Sequence, residues 1–109
     1  MSLEKLNSKS LDWSYDRGIL QNGKPNTQVL KLVSEVGEMC DHMAKGEDIK
    51  DDIGDCIVVL SNLSHMIGSS LEECWSIAYE NIKDRKGFLN EQGNFIKDTQ
   101  LEISYAKAE

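Results

Sequence analysis

A chain of 109 residues with one proline and an ordinary apolar fraction is the size of one domain, large enough for a single core and small enough to gain from oligomerisation. Its 19 acids against 12 bases give a net charge of −7, and no basic stripe is present to neutralise phosphates, so a general nucleic-acid binder is excluded. The longest apolar run, 56–60, is far too short for a bilayer, and residues 1–10 lack the apolar segment of a secretory signal; a cytoplasmic chain with no membrane contact is expected.

Proline and glycine divide the chain into helices. The first is expected over 3–17, closed by Gly18, with a turn at NGKP (22–25). Asn26 or Thr27 then caps a second helix that runs to Lys45 and stops at Gly46. At about 100° per residue, Val29, Leu32, Val33, Val36, Met39, Cys40 and Met43 form a core-facing stripe. Gln28, Lys31, Glu35, Glu38 and His42 run along its flank.

A third helix is expected from 47 or 48 to about 66. One face carries Ile53, Ile57, Leu60 and Ser64, the opposite one Asp52, Asp55, Val59, Asn62 and Met66; a helix apolar on both sides is central in its bundle. The capping box SLEE (70–73) opens a fourth helix reaching 85 or 86 and closed by Gly87. NEQGN (90–94) is a turn between two short extended pieces. The expectation is an all-α, four-helix-type bundle of antiparallel helices over 1–98, with a short irregular or hairpin C-terminal part, a tail at 99–109, and oligomerisation to complete the core. Cys40, Cys56 and Cys74 are widely spaced with no CxxC pair, which predicts buried, reduced thiols rather than zinc ligands or disulfides.

The stretch SEVGEMCDHMAKGEDIKDDIGDCIVVL (34–60) holds two carboxylate pairs, Glu35/Glu38 and Asp52/Asp55, each spaced i, i+3 and set among apolar residues. That spacing puts both acids of a pair on one helix face, and a short loop makes the two helices a hairpin in which all four can converge. Acids so placed repel one another and suffer desolvation, a cost that a hard cation removes. Mg²⁺, with Mn²⁺ as substitute, suits an all-oxygen site. Either pair alone is ordinary on a solvated helix face; their conjunction beside apolar residues points to a site. Neither His42 nor His65 lies at i+3 from these acids, which disfavours a di-iron centre.

KLVSEVGE (31–38) followed by DIGDCIVV (52–59) resembles the MazG-like, all-α nucleoside triphosphate pyrophosphohydrolases. NIKDRKG (81–87) after the Ser70 capping box, then GNF (93–95), and Trp13 with Arg17-Gly18 are similar to other parts of short members; the resemblance covers about residues 10–98. It implies Mg²⁺-dependent hydrolysis of a (d)NTP to the monophosphate and pyrophosphate by a homodimer or homotetramer, in nucleotide-pool house-cleaning. Position by position it implies Glu35, Glu38, Asp52 and Asp55 as metal ligands and Asn81, Lys83 and Arg85 in the phosphate-contacting segment; among the acids, Glu38 first and then Glu35 is the expected catalytic base for the attacking water. Two departures bear on metal number and on which acid activates water: Ser34 stands where the family often has Glu, and the shorter Asp52 where Glu is common.

Lys31, one turn before Glu35, either screens the acids or touches phosphate, and Trp13 either packs or stacks on a base. Asn81 and Arg85 share a face if the fourth helix extends to 85; Lys83 and Arg85 otherwise form the cationic end of that helix. The competing reading is a non-catalytic helical regulatory or assembly module that retains an acidic cluster.

Overall fold

A computed structural model of the chain describes residues 1–98. The 99–109 tail expected from the sequence lies outside the described residues. Helices α1 (Leu3–Asp16), α2 (Ile19–Asn22), α3 (Pro25–Ala44), α4 (Lys50–Met66) and α5 (Leu71–Ile82) are followed by strands β1 (Gly87–Leu89) and β2 (Phe95–Lys97). The described residues are all-α apart from one small hairpin. It divides into two compact units, Met1–Cys74 and the remainder from Trp75.

Local chemistry sets the element ends. Ser2 Oγ accepts from the Lys5 amide at 3.1 Å and caps α1. Gly18 takes a left-handed φ of 76° to turn α1 into α2. Pro25, rather than Asn26 or Thr27, opens α3 because its fixed φ suits the first helical position. Asp48 Oδ1 accepts from the Lys50 amide at 3.0 Å, so α4 begins slightly later than the sequence suggested. Ser70 Oγ accepts from the Glu73 amide at 3.1 Å, as its capping box predicts.

In the first unit α3 and α4 form the principal pair, with α1 and α2 packed on α4. Ser61 on α4 donates to Asn7 Oδ1 on α1. The interior departs from the expected one. Val59 is the one buried apolar residue among the described residues; the other buried side chains are Ser14, Gln28, Asp52, Ser61, Asn62 and Ser64. The α3 stripe lies largely exposed, Val33 at 66% and Met43 at 59%, as do Ile53 and Ile57 on α4. On α3 the buried side is the flank that carries Gln28, and on α4 it is the mixed face that carries Asp52, Val59 and Asn62.

In the second unit α5 ends at Ile82, short of 85 or 86. Gly87 pairs with Lys97, and a Cβ there would meet the Ile96 carbonyl oxygen at 2.0 Å, so the chain must leave the helix before this close approach. Asn90 Oδ1 accepts from the Gln92 and Asn94 amides at 3.1 and 2.9 Å and shapes the hairpin turn. Cys40 is exposed and Cys56 and Cys74 are half-buried, which corrects the expectation of buried thiols. Among the described residues no helix is long and apolar enough to cross a membrane.

Gly23 supplies a test of the α2–α3 corner. A Cβ there would sit 2.4 Å from the Ile19 carbonyl oxygen and 2.7 Å from Met66 Cε. Gly23→Ala is expected to lower stability by about 1–3 kcal/mol in denaturant unfolding.

Candidate functional site

The loop between α3 and α4 brings His42 back onto Asp52, its Nδ1 lying 2.9 Å from both carboxylate oxygens. Moving away from the loop, Glu38 and Glu35 of α3 and Asp55 of α4 come next, then Gln28 of α3 and Asn62 of α4, the order of an antiparallel hairpin. These last five residues line one cavity of about 400 Å³. Lys31, Val58 and Val59 lie along it, and Trp13 and Ile19 of the overlying helices complete the wall.

The cavity has two ends of different chemistry. Glu35, Glu38 and Asp55 make an acidic end. Glu35 is mostly buried, and its Oε2 has no hydrogen-bond partner, although Lys31 Nζ stands 3.5 Å from Oε1. Burial pushes the Asp55 carboxyl above its ordinary value of 3.8, and the charges of Asp51, Glu35 and Asp52 push it the same way. Gln28 and Asn62 are the cavity's neutral members, and Gln28 Oε1 and Asn62 Oδ1 are buried with no hydrogen-bond partner among the described residues. Each stands seven residues from its acidic counterpart, about 10.5 Å along the helix.

The residues singled out from sequence separate into groups. Glu35, Glu38, Asp55, Lys31 and Trp13 share this cavity. Asp52 does not line it; it is buried against His42, whose Nε2 also lies 3.9 Å from Glu47. The hydrogen bond to Asp52 raises the His42 pKa, helped by the nearby acids and opposed by desolvation. Asn81 and Arg85 line a separate depression within the second unit, together with Glu80, Asp84 and Lys86. Lys83 pairs with Glu80 at 2.7 Å. Because α5 ends at Ile82, the expected helical i, i+4 relation between Asn81 and Arg85 is not formed.

The sequence gives no role to Gln28 or Asn62 and reads His42 as a surface or oligomer contact rather than a ligand, without its contact to Asp52. Gln28 and Asn62 carry a legible signal, a seven-residue offset from Glu35 and Asp55 in opposite directions along a hairpin. His42 carries none, since its partner lies across the loop.

Among the described residues no group of three or more His, Cys, Asp or Glu side chains closes on one point as a metal centre. The acidic end nonetheless fits a hard cation: it holds a buried carboxylate oxygen with no donor and an acid raised by burial and like charge. Such an ion would complete its shell with water or substrate oxygens.

The chain is similar to a phage protein. That relative is an uncharacterized 18.2 kDa protein in the rep–hol intergenic region of Haemophilus phage HP1 (strain HP1c1), 39% identical over 75 residues, which cover 65% of this chain and 46% of the relative. The chain thus spans less than half the length of the curated relative it matches. No family model matches the chain, and no solved structure does.

Two pH effects follow, of defined sign. Asp55 is raised on folding, so without a cation its contribution to stability falls as pH climbs from the ordinary carboxylate range through its raised value. Asp55→Asn should therefore melt higher than the wild type at neutral pH in EDTA, and gain less from added Mg²⁺. His42 is also raised; the stability from its pairing is present below the ordinary histidine value and lost as pH rises through the raised one. His42→Ala should lower the melting temperature more at about pH 6 than at about pH 9.

Proposed function

We propose that this chain is a Mg²⁺-dependent nucleoside triphosphate pyrophosphohydrolase, yielding the monophosphate and pyrophosphate. The observation that carries the reading is one cavity lined by carboxylates, one with a buried unpartnered oxygen, together with a lysine, two neutral amides and an indole. The resemblance of 31–38 and 52–59 to MazG-like enzymes points the same way.

Glu35, Glu38 and Asp55 would hold Mg²⁺, which when bound neutralises triphosphate charge and makes water a better nucleophile. Glu38, the exposed acid of the three, takes the proton of the attacking water as general base. The water oxygen bonds to the α-phosphorus as the bond to the β-phosphate bridging oxygen breaks, and the pyrophosphate leaves with that electron pair. Lys31, half-exposed on the rim, meets the charge that develops on the leaving group. Glu35, the more buried acid, holds a fixed negative charge at the floor. Asp52, held by His42 away from the cavity, fixes the α3–α4 hairpin and so positions Asp55 one turn along the helix.

The exposed apolar stripes of α3 and α4 belong to the same proposal. Val29, Val33, Ile53 and Ile57 are each more than two-fifths exposed, while Val59 alone among the described apolar residues is buried, so a second copy of the chain supplies the missing apolar contact. Sedimentation should give a multiple of 12.3 kDa, and Val33→Glu should shift it toward the monomer with loss of stability.

The test of the activity is release of pyrophosphate from a panel of (d)NTPs in Mg²⁺ and in EDTA. Release in Mg²⁺ alone, reduced about 10²-fold or more in Glu38→Ala, is expected. Orthophosphate as the product would move attack to another phosphorus. No turnover by folded protein would replace the enzyme with the helical module.

A further inference from the structure

Among the described residues that line the cavity, Lys31 is the one cation, set against three carboxylates, Glu35, Glu38 and Asp55. Its Nζ lies 3.5 Å from Glu35 Oε1, and the two partners are unequally solvated: the Glu35 side chain is 13% exposed and the Lys31 side chain 58%. The other Glu35 oxygen, Oε2, is buried with no hydrogen-bond partner. The lysine also acts across the hairpin. Burial first, then the charges of Asp51, Glu35 and Asp52, push the Asp55 carboxyl up, and the Lys31 charge opposes them. One ammonium on the rim thus compensates carboxylates of both helices.

We propose that Lys31 is a tethered counter-ion, which compensates the acidic end of the cavity in the metal-free chain and is displaced from Glu35 when a divalent cation binds there. The inference rests on the cation site of the hydrolase reading above. An exposed lysine paired with an acid one turn along its own helix gains little from the contact, because water screens the pair and a long side chain must be held still. Mg²⁺ carries twice the charge and takes carboxylate oxygens as ligands while keeping several waters. The ammonium is strongly hydrated and sits on a flexible four-carbon stem, so it returns to water without any change of backbone. The contact therefore offsets part of the repulsion in the empty site and yields to a stronger cation.

Displacement also orders the binding events. In the metal-free chain the ammonium is held at Glu35, and the cavity presents an excess of negative charge to a triphosphate. With the cation in place the ammonium stays on the rim, free of Glu35, where the proposed reaction needs a positive charge. A lysine in this position thus lowers cation affinity in exchange for a site that is less self-repelling when empty.

The experiment is calorimetric titration of Mg²⁺ into the full chain without nucleotide, for the wild type, Lys31→Met and Lys31→Arg, with melting curves of each in EDTA and in saturating Mg²⁺. Met and Lys have nearly equal helix propensity and the site is on the rim, so Lys31→Met tests the charge rather than the helix. Expected are Mg²⁺ binding about threefold to tenfold tighter in Lys31→Met and near wild type in Lys31→Arg. Lys31→Met should melt about 2–5 °C below wild type in EDTA and level with it in Mg²⁺. Unchanged Mg²⁺ affinity in Lys31→Met would overturn the inference. So would a melting deficit that persists undiminished in Mg²⁺, which would keep Lys31 on Glu35 with the cation bound. The expected results from a chain that hydrolyses no nucleotide would uphold the counter-ion and remove the hydrolase, whereas Mg²⁺ bound by none of the three proteins would remove both.

Discussion

Burying a polar group without a partner is the constraint around which the first unit is organised. The residues buried on helices α3 and α4 are Gln28, Asp52, Ser61, Asn62 and Ser64 with Val59, while Val29, Val33, Ile53 and Ile57 stay exposed. In water these amides and carboxylates are fully solvated; between helices each needs a replacement for that solvation. Asp52 finds one in His42. Glu35 finds half of one in Lys31, and Gln28 and Asn62 find none within the described chain. Among the described residues, three of the four side chains with an unmet buried atom, Gln28, Glu35 and Asn62, line a single cavity; the fourth is Ser14 on α1.

The same inversion accounts for the outer surface. A helix with an apolar stripe must bury it or lose the main stabilisation available to it. With the polar flanks turned inward, the stripes of α3 and α4 face outward, and both belong to the same hairpin. The polar cavity and the exposed apolar stripes are thus two consequences of one packing choice. A chain that buried its apolar stripes within itself would have no cavity lined by acids and amides.

Much of this was legible in the sequence. Gly18, Gly46 and the Ser70 capping box mark element ends because left-handed φ and side-chain caps are local properties. The convergence of Glu35, Glu38 and Asp55 follows from helical spacing and a short loop. Which face of α3 turns inward was not legible: a hydrophobic stripe states only that the face is to be covered, whether by the same chain or by another copy. The early end of α5 was hidden for a related reason, since it is set by the approach of Gly87 to Ile96 across the hairpin. Asp52 was legible as an acid on the right face; its capture by His42 depends on the loop path, which periodicity does not encode.

The central claim is that the cavity holds cation and triphosphate together, because the acids alone do not close on a point. The direct measurement is calorimetric binding of a non-hydrolysable α,β-imido dATP with and without Mg²⁺, on the full chain and on Glu35→Gln. Linkage requires that each ligand strengthen the other by the same factor. The account predicts nucleotide binding that tightens at least about tenfold in Mg²⁺, with the coupling lost in Glu35→Gln. Nucleotide affinity independent of Mg²⁺, or coupling that survives the loss of the Glu35 charge, would contradict it.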